Sequence, residues 1–470
     1  MQKAVGSPWR WNSIAHLIAG LAIAVALGII SRSYFGAVDE PLIWRTAGVV
    51  IIGIALFATH AIPEHLTGLL VLFLAVAMEI APNQVIFSGF TVGGLWLLFS
   101  GIIIGSAVGE TGLGNYIARR FLNRFEMNFR RAVVLLVAVG TFLGFIMPAT
   151  IPRIIILMPI ALGLAEAMGY QHGDREYTGL AITVATGTLF PTFMVMTANL
   201  PTVVHISAID ALYGDAPAFA SFLIYNAPIS IFRALALIVI LNLLFRSNAP
   251  VSQSTGFDGP MTSNQKRLLT ILTGTLFLWL TDVWHGIAPA WIALVTAIVV
   301  LWPPLGVLGK TAMKERIDLS PVLYLAGVLC IGAILQHSGL DTRLGSSAVQ
   351  NMGFAPGAIF WNYYLIFALA VVMTLAVTAP AVPIVLASLA KEISQTSGLN
   401  LTSVLMVQFL GFSTLFFPYQ APPLVVALSV GRIGVADLAK VCSLLALVVF
   451  VLGVPLNYLW WSAIGLIPAN

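Results

Sequence analysis

The feature that most constrains this chain is a series of apolar stretches, each long enough to cross a lipid bilayer. One helical crossing needs about 20 apolar residues. Eleven stretches meet this requirement: near 14–31, 43–60, 64–81, 93–110, 178–210, 222–245, 267–285, 288–303, 319–337, 403–430 and 440–465. Charged residues make up only 9% of the chain, whereas soluble domains contain about a quarter. The sequence therefore predicts an all-α integral membrane protein.

Two further apolar regions, 132–168 and 359–393, are interrupted in the middle by prolines and small residues. The interruptions lie at 148–152 and at 378–383. Broken helices are tolerated at membrane depth where their freed backbone groups face protein or a water-filled cavity. We predict that both regions are re-entrant helical hairpins, and ordinary kinked helices are the alternative.

The chain also repeats itself at a period of about 225 residues. The Gly112-Leu113 pair recurs at Gly339-Leu340, and the segment that follows Leu200 recurs near Pro422. Similar spacing across successive matches indicates two related halves, although each match alone would carry little weight.

The repeat divides the chain into four predicted regions. They are an N-terminal region 1–42, a first repeat 43–246, a cytoplasmic linker 247–266 and a second repeat 267–470. The first repeat contains the hairpin 132–168 and the unwound helix 178–210, and the second contains the hairpin 359–393 and the unwound helix 403–430.

The distribution of Lys and Arg predicts the orientation, because cytoplasmic loops carry an excess of these residues. With the N-terminus in the cytoplasm, the Arg-rich segment 116–131 lies inside, whereas the matching segment of the second half lies outside and holds only Arg343. An odd number of spans separates equivalent points, so we predict that the two repeats are inverted. The segment 116–131 itself is predicted to be an amphipathic helix along the inner membrane surface.

Discontinuous helices leave backbone groups unpaired, so that helix N-termini attract anions and exposed carbonyls can hold cations. Interruptions near 148–152, 197–201, 378–383 and 418–423 would converge on one central site in an inverted repeat. The predicted substrate-binding residues are Ala149, Thr150, Arg153, Thr197, Asn199, Thr378, Ala379, Pro380, Tyr419 and Gln420.

Ionisable residues at membrane depth are rare and usually functional. Arg153 follows the first interruption, where it would bind an anionic solute, pair with a carboxylate, or anchor the hairpin. Glu110 and His337 occupy equivalent places in the two repeats, where they would carry protons or cap helix ends. The candidates for binding a coupling ion are Thr150, Asn199, Thr378, Gln420, Glu110 and His337.

Other classes of function find little support. No nucleotide-binding loop, nucleophile elbow or HExxH motif is present. His60, Glu64 and His65 have metal-binding side chains, but Pro63 breaks their helical register, so we predict no metal site. We expect no cofactor other than a coupling sodium ion or proton, no catalytic residues, and no nucleic-acid partner.

Several segments resemble the divalent anion/sodium symporter family, which belongs to the ion transporter superfamily. Residues 94–99 with 110–113 are similar to the family's fourth helix, and 279–286 resembles the start of its second repeat. Residues 147–160 resemble its first hairpin, in the version that carries an arginine after the tip. The resemblance covers nearly the whole chain. It implies a homodimer in which the hairpins and unwound helices move as an elevator against a fixed scaffold.

The tips of the two hairpins depart from the family pattern. They usually read Ser-Asn-Thr, whose side chains and carbonyls hold substrate carboxylates and sodium. Here the tips align as Ala149-Thr150-Ile151 and Thr378-Ala379-Pro380. Sodium coupling, proton coupling and exchange of one anion for another therefore all stay open.

We predict from these features a secondary active transporter of a small anion, such as a di- or tricarboxylate or sulfate. It would lie in the cell membrane with its N-terminus in the cytoplasm. The alternatives are a carrier or transport subunit for a neutral or cationic solute and a membrane-embedded enzyme.

Overall fold

The fold was analysed in a computed structural model of the chain. It describes residues 13–36, 39–59, 61–122, 128–245, 259–303, 306–309, 311–315, 317–344, 352–355, 357–376, 379–380 and 382–467. Helices dominate these residues and no strand occurs among them. The predicted all-α class is confirmed.

The helices are numbered here in chain order. Those of the first half are α1 (Ser13–Phe35), α2 (Pro41–Thr59), α3 (Glu64–Ala77), α4 (Asn83–Ile86), α5 (Gly93–Thr111), α6 (Leu113–Leu122), α7 (Phe129–Ile146), α8 (Thr150–Ala167), α9 (Arg175–Gly187), α10 (Leu200–Tyr213) and α11 (Phe219–Phe245).

The second half presents a similar order of elements. Its helices are α12 (Ser263–Leu280), α13 (Asp282–His285), α14 (Pro289–Leu301), α15 (Ala312–Glu315), α16 (Ser320–Ser338), α17 (Ile359–Ala376), α18 (Val382–Ser397), α19 (Leu401–Phe412), α20 (Pro422–Gly431), α21 (Val435–Val448) and α22 (Val454–Ala463). A π-helical turn, Val449–Gly453, joins the last two.

Eight helices in the described part of the chain are long and apolar enough to cross a membrane. Each of the eleven predicted stretches coincides with one helix or with two consecutive helices. The stretches 178–210 and 403–430 are the clearest cases of the second kind. Each consists of two shorter helices, and the segment between them includes a short 3-10 helix, Phe190–Met194 in the first and Pro418–Gln420 in the second. Two of the eight long helices, α7 and α8, are the arms of the first predicted hairpin.

Both interrupted regions are hairpins rather than kinked helices. In the first, α6 and α9 each pack against both arms, which places α7 and α8 side by side. In the second, the side chain of Asn362 at the start of α17 donates a hydrogen bond of 2.8 Å to the carbonyl of Ser397, the last residue of α18. The beginning of one arm therefore meets the end of the other.

The two halves pack on each other reciprocally. In the outer layer, α3 of the first half packs against α16 of the second, and α14 of the second packs against α5 of the first. The hairpins follow the same rule, since α8 packs against α20 and α18 packs against α10. Exchanged contacts of this kind are typical of two related units around a two-fold axis.

Local signals explain where equivalent helices end. Helix α5 stops at Gly112 (φ 66°) and helix α16 stops at Gly339 (φ 73°), both in the left-handed conformation. Glycine adopts this conformation without steric cost and commonly terminates helices. The glycines that reveal the repeat in the sequence therefore have the same structural role in each half.

Two predicted boundaries differ from the structure. The Arg-rich segment 116–131 is not one continuous helix in its described parts, because α6 ends at Leu122 and Arg130 already lies in the first turn of α7. The predicted linker 247–266 also extends too far, because its last four residues are helical. Helix α12 begins at Ser263, where Thr262 and Gln265 form a reciprocal cap that fixes the first turn.

Helices α3 and α16 approach each other closely where the two halves meet. A Cβ atom added to Gly327 would lie 2.2 Å from the Cα of Gly68, and one added to Gly68 would lie 2.5 Å from the carbonyl oxygen of Leu323. Small residues allow membrane helices to approach this closely. The contact therefore depends on glycine on both helices.

We predict that Gly327→Ala lowers the thermal unfolding midpoint of the purified protein in detergent. The added methyl group has no space, and such overpacking costs about 1–3 kcal/mol. The matched control is Gly105→Ala on α5, where an added Cβ meets nothing within 4 Å. Because alanine favours helix more than glycine does, the control should melt at the wild-type temperature or above it. Equal midpoints for the two variants would contradict the prediction.

Candidate functional site

Four interruptions of helical structure form the candidate site. The first tip is the turn between α7 and α8, and the first break is the segment 188–199 between α9 and α10. The second tip lies between α17 and α18, and the second break is the segment 413–421 between α19 and α20. Backbone groups freed at such positions need partners inside the protein. The side chains that supply those partners define the site.

Arg153 connects the first tip to the first break. Its side chain is fully buried on the first turns of α8. Nη1 donates to the carbonyl of Met147 in the tip at 3.0 Å. Nη2 lies 3.1 Å from the carbonyl oxygens of both Thr188 and Ala198, at the two ends of the break. Of the three roles considered for this arginine, anchoring the hairpin is the one that these contacts describe.

Polar side chains complete this connection. The hydroxyl of Thr150 donates to Oδ1 of Asn199 at 2.7 Å, and the hydroxyl of Thr192 lies 3.3 Å from the same atom. Nη2 of Arg153 also reaches Thr150, Thr192 and Asn199 at 2.9, 3.3 and 3.2 Å. Thr150 and Asn199, predicted from the sequence to bind substrate or a coupling ion, are thus in direct contact.

Gln420 makes the corresponding connection in the second half. Its buried side chain accepts hydrogen bonds from the backbone N–H groups of Phe416 and Phe417 and donates to the carbonyl of Thr374 on α17. The backbone carbonyl of Gln420 accepts a hydrogen bond of 2.8 Å from the N–H of Ala379 in the second tip. The second half therefore joins tip to break with a neutral amide, where the first half uses a cation.

The other predicted site residues have different surroundings. The half-exposed Tyr419 donates from its hydroxyl to the carbonyl of Leu375 near the second tip. Thr197, Ala149 and Pro380 lie within the described interruptions. Thr378 lies outside the described residues, as does His60. Glu110 and His337 are exposed at the ends of α5 and α16.

The structure adds Arg233, which the sequence analysis did not single out. This arginine of α11 is 1% exposed, and its Nη2 donates to the hydroxyls of Ser413 and Thr414 in the second break at 2.9 and 3.1 Å. Its Cζ lies 5.8 Å from the ring centroid of Phe193 in the first break, within cation–π range. The sequence alone could have indicated this residue, because an arginine inside an apolar stretch such as 222–245 is rare and usually functional.

Arg153 and Arg233 contact the C-termini of two equivalent helices. Thr188 follows the last residue of α9, and Ser413 follows the last residue of α19. These positions differ by about the period of the repeat. A helix C-terminus carries partial negative charge and unpaired carbonyls, which favour a cation. Each broken helix therefore ends against a buried guanidinium.

Helix N-termini provide the opposite polarity at the same place. The residues before α8, α10 and α20 are Ala149, Asn199 and Ala421, and none of them caps its helix through a side-chain hydrogen bond. The hydrogen bond from Thr150 to Asn199 brings the N-termini of α8 and α10 together, and α20 packs against α8. The dipole of each helix favours an anion at such an N-terminus, but α20 begins with Pro422 and Pro423, which have no N–H group to donate.

We predict that Gln420→Glu makes stability depend on pH. The carboxylate still accepts from the N–H groups of Phe416 and Phe417, but its second oxygen faces the carbonyl of Thr374, to which only a protonated acid can donate. The variant should therefore melt below wild type at pH 8 and recover towards it at about pH 5, near the usual range for glutamate. The control is Gln84→Glu at an exposed position on α4, which should show no such recovery. A pH-independent midpoint for Gln420→Glu would contradict the prediction.

Comparison with known proteins agrees with this architecture. The chain matches the structure titled as the Alcanivorax borkumensis YdaH transporter with a TM-score of 0.55 over 82% of this chain and 89% of that one, at 16% identity. It is 23% identical to an uncharacterized transporter of Haemophilus influenzae, covering 86% of this chain and 89% of the relative. It is 21% identical to chloroplastic dicarboxylate transporter 2.2 of Arabidopsis thaliana, covering 95% and 84%.

The family follows from a sequence profile. The profile of the citrate transporter family CitMHS matches residues 54–412, which include both hairpins and the first break. The expected relationship to the divalent anion transporters is thereby confirmed. This chain belongs to the CitMHS family of citrate transporters, and it is an integral membrane transport protein.

Proposed function

We propose that the protein carries a small anion, of the di- or tricarboxylate or sulfate type, across the cell membrane. The observation that supports this proposal most strongly is an excess of buried positive charge. Arg153 and Arg233 are both fully buried, whereas among the acidic residues that the structure describes Glu392 has one buried oxygen and only Asp282 is buried as a whole. That carboxylate accepts hydrogen bonds from the backbone N–H groups of Phe219 and Ala220 at the start of α11.

This imbalance favours an anionic solute for electrostatic reasons. Arginine stays protonated in proteins, and a buried ion without a counterion carries a penalty of several kcal/mol. The hydroxyls and carbonyls around the two arginines offset part of this penalty, and the uncapped N-termini of α8, α10 and α20 add positive potential. A solute with one or more carboxylates would relieve the imbalance, whereas a cation would increase it. We therefore favour an anion over the neutral or cationic solute.

The proposed class of solute agrees with the description of the family and with the names of two relatives. The family is described as citrate transporters, and relatives from Arabidopsis thaliana and Spinacia oleracea are named dicarboxylate transporters. Citrate and succinate are accordingly the first solutes to test, with sulfate as an inorganic dianion. A membrane-embedded enzyme receives no comparable support from these names.

For the transport mechanism we propose an elevator. The two tips, the two breaks and α11 are linked by Arg153, Gln420 and Arg233, which would let them move as one unit. The frame would consist of α2, α3, α5, α14 and α16, whose packing on one another crosses between the halves. We also expect the N-terminus in the cytoplasm and a homodimer formed through the frame, which cross-linking between single-cysteine variants in membranes would test.

The decisive experiment is uptake of labelled citrate, succinate and sulfate by proteoliposomes that contain the purified protein. Three conditions are compared: an inward sodium gradient, an inward proton gradient, and unlabelled anion preloaded inside. We expect uptake of at least one anion above that of protein-free vesicles. Failure of every anion under all three conditions would refute the proposed substrate class.

We predict that Arg233→Gln raises the KM for anion uptake about tenfold. Removing a charged hydrogen-bonding group costs about 1.5–3 kcal/mol, and 1.4 kcal/mol corresponds to a factor of ten. Arg233→Lys keeps the charge and should retain a KM closer to wild type. Arg32→Gln, at an exposed position on α1, should leave the KM unchanged.

Melting curves of the same preparations separate a binding role of Arg233 from a structural one. A folded Arg233→Gln protein with the wild-type KM would remove this residue from the site. The Lys variant supports the argument from charge only if its KM lies below that of the Gln variant.

A further inference from the structure

A groove lies at the start of α7, the first arm of the first hairpin. It is lined by Asn128, Arg130, Arg131, Val134 and Leu135 and has a volume of about 500 Å³, which is typical of small-ligand sites. None of these five lining residues is acidic. The groove, which we call the α7 groove, therefore combines positive charge with apolar surface.

The positive charge of the α7 groove has more than one source. Arg130 and Arg131 are both exposed in the first turn of α7. Asn128 accepts a hydrogen bond of 2.9 Å from the backbone N–H of Arg131, which fixes the first turn and places the positive end of the helix dipole at the groove. The neighbouring helix α6 packs against α7 and carries the exposed Arg119 and Arg120. This end of the groove is thus suited to an anionic group.

An apolar stripe continues from the arginines along α7. Val134, Ala138 and Phe142 follow Arg130 at intervals of four residues, which places them in a continuous stripe that winds slowly around the helix. Val134 is 38% exposed and Phe142 is 43% exposed. Because α7 is long and apolar enough to cross a membrane, such a stripe offers a surface on which lipid chains can pack. The exposed surface of α7 therefore changes from cationic to apolar within about one helical turn.

We propose that the α7 groove binds an acidic phospholipid, with its headgroup phosphate against Arg130 and Arg131 and its acyl chains along the apolar stripe. Arginine binds phosphate oxygens through charge-assisted hydrogen bonds, and basic pockets between membrane helices bind acidic headgroups. A phospholipid joins an anionic group directly to long apolar chains, which matches the order of charge and apolar surface on α7. A free phosphate ester would use the arginines and leave the stripe uncovered.

Lipid binding at this place is independent of the solute that the protein carries. The same arm ends at the first tip, where the carbonyl of Met147 accepts a hydrogen bond from Arg153. A lipid in the α7 groove would therefore contact the hairpin that carries part of the candidate site. Failure of every anion in the uptake assay would leave this proposal standing, because its test does not require transport.

The first experiment measures the thermal unfolding midpoint of the full-length protein in detergent, after removal of copurified lipid. The protein is titrated with phosphatidylglycerol or with phosphatidylcholine of the same chain length. Phosphatidylglycerol should raise the midpoint saturably, because a ligand that binds only the folded state stabilises it. Phosphatidylcholine carries no net charge and should have a much smaller effect. Equal responses to the two lipids would overturn the proposal.

The second experiment removes the charge of the groove. Arg130→Gln combined with Arg131→Gln should need about thirtyfold more phosphatidylglycerol for the same rise, which corresponds to about 2 kcal/mol for two basic residues. The matched control combines Arg432→Gln and Lys440→Gln, which remove two exposed charges at the end of α20 and on α21. The control should titrate as wild type does. A folded groove variant that also titrates as wild type would overturn the proposal.

The third experiment separates a membrane lipid from a free phosphate ester. Glycerol phosphate, which carries the phosphate without chains, should leave the midpoint nearly unchanged at concentrations at which phosphatidylglycerol saturates. Val134→Ser keeps both arginines and should weaken the response to phosphatidylglycerol severalfold. An equal effect of glycerol phosphate and the lipid would show that the chains contribute nothing and would overturn the proposal, as would a wild-type response of Val134→Ser. If a groove variant fails to fold, the three ligands compared on wild type decide.

Discussion

The interior of this protein depends on how backbone groups at broken helices find partners away from water. A helix that stops at membrane depth exposes carbonyls at one end and N–H groups at the other, and each unpaired group is costly in an apolar medium. Arg153 meets this requirement in the first half, since one guanidinium contacts the tip, the end of α9 and the far end of the break. Tip and break are therefore held in a fixed relation.

The second half meets the same requirement with different chemistry. Gln420 satisfies two N–H groups of the second break and one carbonyl of α17, while Arg233 reaches the end of α19 from a helix of the first half. The two halves are thus similar in architecture and unequal in charge. The reciprocal packing of α8 on α20 and of α18 on α10 joins both solutions into one assembly.

The buried arginines that satisfy the broken helix ends would also contribute to binding the solute. Two buried guanidinium groups and three helix N-termini without side-chain caps lie around the interruptions. The same groups that hold the broken helices together would then attract an anionic solute. If the proposed function holds, part of its specificity would come from the charges that its fold requires.

The sequence by itself determined the membrane class, the positions of the spans, both hairpins and the repeat. Length and apolarity of a segment are local properties, and Gly112 and Gly339 end equivalent helices for local steric reasons. The sequence also indicated all four interruptions through prolines and small residues, but the two breaks begin earlier than predicted, at 188 instead of 197 and at 413 instead of 418. It did not assign a role to Arg153, for which three alternatives stayed open, and Arg233 was overlooked within its apolar stretch.

Only the tertiary structure decided which groups the two arginines contact, because the contacted oxygens are distant in the chain. Thr150 and Asn199 are separated by 49 positions and Arg233 and Ser413 by 180. No local pattern shows which carbonyls face which side chain after the halves have packed together. The sequence fixes which helices must break. The packing of the two halves determines which side chains satisfy the broken ends, and hence where the charge of the site lies.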